Sequence, residues 1–206
     1  FMAGGDLKDF AAHLHLSPES RLATFRAMVE QYINQSVEAL QALPVPVVAQ
    51  VRGACAGFAL SLVLGCDLVV AADSAYFTTA YASIALSGDG GVSWLAPRIL
   101  GRRKAFELLL LADRFDAAEA LRLGVVNRVV PAAELDVAVA DLLARILRGP
   151  GRTYGEIKGL LNASPDQSLG AQLQLEAEAF ARCTSRPDFD EGINAFLGKR
   201  KARFNG

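Results

Sequence analysis

Histidine, cysteine and an excess of either charge are what this chain has least of. Two histidines and three cysteines occur among 206 residues, too few and too scattered for the Cys/His spacing of a metal site. The cysteines are odd in number and form no CxxC pair, which excludes a disulfide framework. Cys55 and Cys66 stand in apolar surroundings and read as small core residues, so a reducing, cytoplasmic location is expected. With 21 basic residues against 22 acidic ones the formal net charge is −1, leaving no field to attract nucleic acid or an anionic membrane. The apolar runs are broken by Asp, Arg or Gly before they reach a membrane span. No nucleic-acid partner, no membrane and no metal are expected.

What is present is the composition of a globular protein, 52% hydrophobic and 21% charged. Apolar strand-like runs, Val45–Val51, Asp67–Ala72, Tyr76–Thr79 and Val125–Val130, alternate with helical patterns, which argues an α/β fold. Ser17 and Pro18 open a long helix whose apolar positions keep helical spacing from Leu22 to Leu43. Further helices are expected over Phe58–Leu64, Val92–Leu100, Arg102–Leu111, Asp116–Leu123 and Glu134–Leu147. Three more follow the Gly149-Pro150-Gly151 break, around Glu156–Asn162, Leu169–Arg182 and Phe189–Leu197. The first residues, FMAGGD, read as the middle of an element, the end of a strand and a Gly-Gly turn.

Two small-residue turns, Ala3-Gly4-Gly5 and Ala56-Gly57-Phe58, present backbone N–H groups without crowding. Carbonyl chemistry that forms an enolate needs two converging donors of this kind. Glycines at such turns serve equally for close strand–helix packing, and spacing alone leaves both readings open. Asp89, in LSGDGG before a helix, is either a turn or cap residue or a lone carboxylate at an apolar pocket, where it is suited to proton transfer. The loop matches neither phosphate-binding glycine pattern. Asp6 and Asp67 follow turns and read first as acids that bond the backbone. His13 and His15 read as solvated, and Ser61 and Ser93 lack the partners of a nucleophilic triad.

Taken together, FMAGGDL, PVPVVAQVRGACAGFALSLVLGCDLVVAADSAYF, IALSGDGGVSWLAPRILG, DAAEALRLGVVNRVV and EGINAFLGKRKARF resemble the enoyl-CoA hydratase/isomerase (crotonase) superfamily across nearly the whole chain. The resemblance implies a ββα spiral core over 1–130, with family strands preceding Phe1, and a helical oligomerisation region over 131–206. It implies that the N–H groups of Gly5 and Phe58 form the oxyanion hole, although a glycine is usual where Phe58 stands. Ala3, Asp6, Leu7, Ser61 and Tyr81 are expected to contact the substrate, Ala3–Leu7 along the coenzyme A. Lys199–Phe204 fall in the tail that approaches a neighbouring subunit's nucleotide in the family. A homotrimer or dimer of trimers is implied. Coenzyme A enters as part of an acyl-CoA substrate, and no cofactor is expected.

The departures from the family pattern select among its chemistries. Hydratases carry two glutamates. One aligns with Ser61, the other with Ala80 or Tyr81, and neither position holds a carboxylate here. Asp89 is the acid that remains, in a setting similar to family members that place an aspartate in this loop. The expected activity is therefore an acyl-CoA isomerase in which Asp89 moves the proton. The alternatives are a hydratase, an aroyl-CoA dehalogenase in which the aspartate is the nucleophile, or an idle acyl-CoA-binding protein. Tyr81 is expected to wall the acyl pocket, with plain packing as the alternative.

Overall fold

The computed structural model describes residues 1–204. It falls into two compact units, one of residues 1–42 and 47–136, the other of residues 43–46 and those from Val137 onward.

In the first unit, six short strands form two sheets. Strands β1 (Val48–Val51), β3 (Leu68–Ala72) and β6 (Arg128–Val130) make an all-parallel sheet in the order β1-β3-β6. Strands β2 (Ala54–Ala56), β4 (Tyr76–Thr78) and β5 (Phe115–Asp116) make the other, with β2 and β4 parallel and β4 and β5 antiparallel. Consecutive strands are shared between the sheets: β1 then β2, β3 then β4. Each pair is followed by helical structure, α4 (Phe58–Leu64) after the first and α5 (Val92–Leu100) after the second. This is the expected α/β fold built from ββα units. Parallel strands covered on both faces need apolar residues throughout, and in β3 Val69, Val70, Ala71 and Ala72 are all buried. Helix α4 is buried almost all round, and Ala59, Leu60, Val63 and Leu64 join the core with Val51, Ala71 and Phe77.

The structure redraws several sequence-based boundaries. The strand expected from Val45 begins at Val48, because the Val47 N–H goes to Asp67 Oδ2 (2.7 Å) instead of a ladder. The strand expected from Val125 begins at Arg128, because the N–H groups of Val125 and Val126 close the end of α7 (Ala117–Arg122) on the Ala120 carbonyl. The small-residue run after Gly53 contributes a strand of its own, β2. The polar stretch after Gly5 is a helix, α1 (Leu7–Ala12), started by Asp6, whose Oδ1 accepts from the Lys8 N–H at 2.8 Å. Ser17 does cap the long helix (its Oγ accepts from the Ser20 N–H), but that helix is three segments. These are α2 (Pro18–Met28), a π-helical turn over Val29–Asn34, and α3 (Gln35–Ala42). Helix α6 (Arg102–Leu111) follows α5 as expected.

The second unit takes in most of α8 (Leu135–Leu147) and then α9 (Gly151–Ala163), α10 (Leu169–Thr184) and α11 (Pro187–Leu197). Helix α9 begins five residues earlier than its apolar pattern indicated. Glu156 on α9 is paired with Arg182 (2.8 Å) and Arg186 (2.7 Å), which tie it to α10 and to the residue before α11. These guanidinium groups, Arg182 first, hold the Glu156 carboxyl below its ordinary value. Among the described residues no helix is long and apolar enough to cross a membrane.

Candidate active site

The chain before Gly4 runs beside β2. Met2 is bridged in parallel to Cys55, its N–H donating to the Ala54 carbonyl at 3.0 Å and its carbonyl accepting from the Ala56 N–H at 3.1 Å. That register carries the two small-residue turns side by side, with Gly4 against Gly57. The approach is close. A Cβ on Gly4 would stand 3.1 Å from the Ala56 carbonyl oxygen, and one on Gly57 would stand 3.6 Å from the Gly4 Cα. Both residues have positive φ, +95° and +58°, so glycine is needed for conformation as well as for space. Past these turns the N–H groups of Gly5 and Phe58 have no protein acceptor among the described residues. Phe58 is the first residue of α4, where an N–H has no partner within the helix.

Both turns border a cavity of about 390 Å³. Ala3, Gly4, Gly5, Asp6 and Leu7 line one side, and Gly57, Phe58, Ala80, Tyr81 and Asp89 also contribute to its walls. The apolar remainder comes from Phe10, Met28, Ile33, Ile84 and Leu86. The cavity therefore gathers every site residue expected from the sequence except Ser61. No Lys, Arg or His is among the lining residues; its charged groups are the carboxylates of Asp6, Asp9 and Asp89. Among the described residues no group of three or more His, Cys, Asp or Glu side chains is placed to hold a metal ion.

Ser61 corrects the expectation of a substrate contact. Its side chain is fully buried behind the wall. Its Oγ donates to the Asp89 main-chain carbonyl at 2.9 Å and lies 3.0 Å from the Tyr81 hydroxyl. Tyr81, only 6% exposed, donates in turn to Asp89 Oδ1 at 2.7 Å. Burial pushes the Tyr81 phenol well above its ordinary value, partly offset by the Ser61 hydroxyl beside it, so it stays a neutral donor. Tyr81 lies between two alanines with left-handed backbone, Ala80 (φ +57°) and Ala85 (φ +60°), a conformation that costs a non-glycine residue about 1–2 kcal/mol. Thr78 and Thr79 anchor the entry to this turn through hydroxyl bonds to the carbonyls of Ala112 and Leu108.

The ring of Phe58 lies against the glycine loop: a Cβ on Gly90 (φ +59°) would stand 2.7 Å from its Cδ2 and Cε2. The bulky Phe58 is thus matched by a missing side chain across from it, at Gly90. Met28, Ile33 and Phe10 line the cavity without any local sequence signal for it. Their apolar character was legible, but nothing local distinguishes a helix face that packs on protein from one that borders a cavity. The hydrogen-bonded trio of Ser61, Tyr81 and Asp89 was equally hidden, since no periodicity links positions 20 and 28 residues apart.

Chemically, the arrangement offers two free main-chain donors and, among three carboxylates, one on the glycine loop, Asp89, at a largely apolar cavity. Comparison with known proteins gives the family. A protein of Rhodobacter capsulatus named probable enoyl-CoA hydratase is 36% identical over 207 residues, spanning 100% of this chain and 77% of its own length. The 1,2-epoxyphenylacetyl-CoA isomerase of Escherichia coli is 34% identical over 206 residues, with coverage of 100% and 77%. The crystal structure of an enoyl-CoA hydratase from Polaromonas superposes with a TM-score of 0.91 at 35% identity, covering 100% of this chain and 78% of that one. The family model described as enoyl-CoA hydratase/isomerase matches residues 1–206. The chain belongs to the enoyl-CoA hydratase/isomerase family, and its α/β core with a helical C-terminal region is the crotonase fold.

Proposed function

We propose that this protein is an acyl-CoA isomerase that shifts a double bond by proton transfer. The observation that carries the reading is that Asp89, alone among the three acid/base positions considered, is a carboxylate, and it borders the same cavity as the unpartnered Gly5 and Phe58 amides. With a 3-enoyl thioester, Asp89 takes a proton from the carbon next to the carbonyl. The electron pair left behind moves into the carbonyl, and the two N–H groups stabilise the oxyanion by about 3 kcal/mol each. The protonated carboxyl then returns the proton to the far end of the conjugated system, so that the double bond moves and no atom is gained or lost. One acid is sufficient for both transfers. Coenzyme A belongs to the substrate, with Ala3, Asp6 and Leu7 beside it, and no other cofactor enters the scheme.

A hydratase is the second reading, favoured by the name of the Rhodobacter relative and opposed by Ser61 and Tyr81 in the glutamate positions. Incubation with 2-enoyl-CoA and 3-enoyl-CoA in heavy water separates the two. Isomerisation relocates the double bond and incorporates deuterium into the acyl chain; formation of a 3-hydroxyacyl-CoA without bond migration would replace the isomerase reading. Binding without deuterium uptake at any acyl position would leave an idle acyl-CoA-binding protein.

A homotrimer or dimer of trimers assembled through the region from residue 131, in a cytoplasmic setting, completes the proposal. Its support is the apolar surface left uncovered in the second unit, where Leu147, Leu169, Phe180 and Phe196 are each more than two-thirds exposed. Light scattering after size exclusion tests it, and a monomer would refute it.

A further inference from the structure

Two hydroxyls hold Asp89 at two points. Tyr81 donates to its carboxyl Oδ1 at 2.7 Å, and Ser61 donates to its main-chain carbonyl at 2.9 Å. Each hydroxyl has one hydrogen, and in this arrangement both are directed at residue 89. The two oxygens lie 3.0 Å from each other in a region with almost no solvent access, Ser61 at 0% and Tyr81 at 6% exposure, so water does not compete for these bonds. Asp89 Oδ2 has no protein partner among the described residues. Of the other titratable groups on the cavity, Asp6 is occupied in starting α1, and neither it nor Asp9 bonds to this trio.

We infer that Tyr81 and Ser61 are positioning residues for Asp89. Tyr81 fixes Oδ1 so that Oδ2 faces the acyl carbon, and Ser61 fixes the backbone of the acid to helix α4. Ser61 lies three residues after Phe58 on that helix. The oxyanion donor and the acid are therefore referenced to one short rigid element, and their separation is set by helix geometry instead of by the glycine loop. The left-handed backbone on either side of Tyr81 fits a turn held in place for a purpose beyond packing. This inference rests on the isomerase reading of Asp89.

The test is steady-state conversion of vinylacetyl-CoA, with kcat and KM measured for wild type, Tyr81→Phe, Ser61→Ala, Ser61→Thr and Asp89→Asn. Loss of the hold on Oδ1 lets the carboxyl rotate, so Tyr81→Phe is expected to lower kcat about ten- to hundredfold with KM changed by less than about twofold. Ser61→Ala lowers kcat by a smaller factor, and Ser61→Thr, which keeps the hydroxyl, restores most of it. In the Asp89→Asn background Tyr81→Phe causes no further loss. The inference is overturned if Tyr81→Phe with a wild-type melting temperature keeps wild-type kcat, or if its whole effect lies in KM. If Tyr81→Phe fails to fold, the kcat of Ser61→Ala decides, and an unchanged value overturns the inference. A fully active Asp89→Asn removes the isomerase reading itself, whereas an inactive Asp89→Asn beside an unimpaired Tyr81→Phe removes only the positioning roles.

Discussion

The ring of Phe58 occupies the space that a side chain on Gly90 would need, with Cδ2 and Cε2 each 2.7 Å from the position of a Cβ there. This contact joins the first residue of α4 to the loop that carries Asp89. Gly90→Ala meets both the ring and the Ser61 Cβ at 2.9 Å, in a backbone conformation that already disfavours alanine. A loss of about 2–4 kcal/mol in stability is expected from overpacking and left-handed strain together. Urea denaturation measures it. Adding Phe58→Ala should recover the part of the overpacking due to the ring and leave the Ser61 contact and the strain, so complete recovery or none would contradict this account.

The Phe58 amide can be removed without removing the helix. Proline is tolerated at the first helical position, where its missing N–H has no helical acceptor to lose. Phe58→Pro should lower kcat about 10²–10³-fold, the usual consequence of deleting one oxyanion donor. Phe58→Ala keeps the N–H and should retain most of the activity. Equal losses in the two variants would assign the effect to the ring.

Asp89→Asn keeps an oxygen to accept from Tyr81 but has no base. Deuterium uptake into a 3-enoyl-CoA should fall about 10²–10⁴-fold. Binding of the thioester, measured by calorimetry, should change by less than about threefold, because no contact to coenzyme A is altered.

Glu156 predicts a pH dependence of stability in the second unit. Its carboxyl is held below the ordinary value of 4.5 by Arg182 and then Arg186. A depressed folded-state value means that the stabilisation is complete above the ordinary glutamate value and is lost as pH falls through the folded one. Glu156→Gln should therefore be less stable than wild type at neutral pH, with the gap closing as the pH falls below that range. Denaturation curves at several pH values check this; a gap that widens in acid would be inconsistent with the pairing.

Much of the fold is legible in local sequence because buried parallel strands and helices leave distinct apolar periods. Asp67–Ala72 and Phe58–Leu64 are read almost to the residue for that reason. The misplaced boundaries share one cause: where a backbone N–H finds a partner outside its own element, as at Val47 with Asp67 or Val125 with Ala120, apolar character no longer marks the end of a strand. Helix α1 is not legible in the sequence, because six residues are too few for a period and its one signal is the capping Asp6.

The sequence by itself determined the α/β class, the superfamily resemblance, the two glycine turns and the single surviving acid. These depend on residue types and short-range order, which a chain carries without being folded. Only the tertiary structure decided that Met2 pairs with Cys55, which brings the Gly4 turn against Gly57 and puts Gly5 and Phe58 on one cavity. It also decided that Ser61, expected to contact the substrate, lies behind the wall and is bonded to Asp89. Contacts of that kind depend on strand register and on how a helix meets a loop. Those are set by the packing of the whole core, and no local pattern contains them.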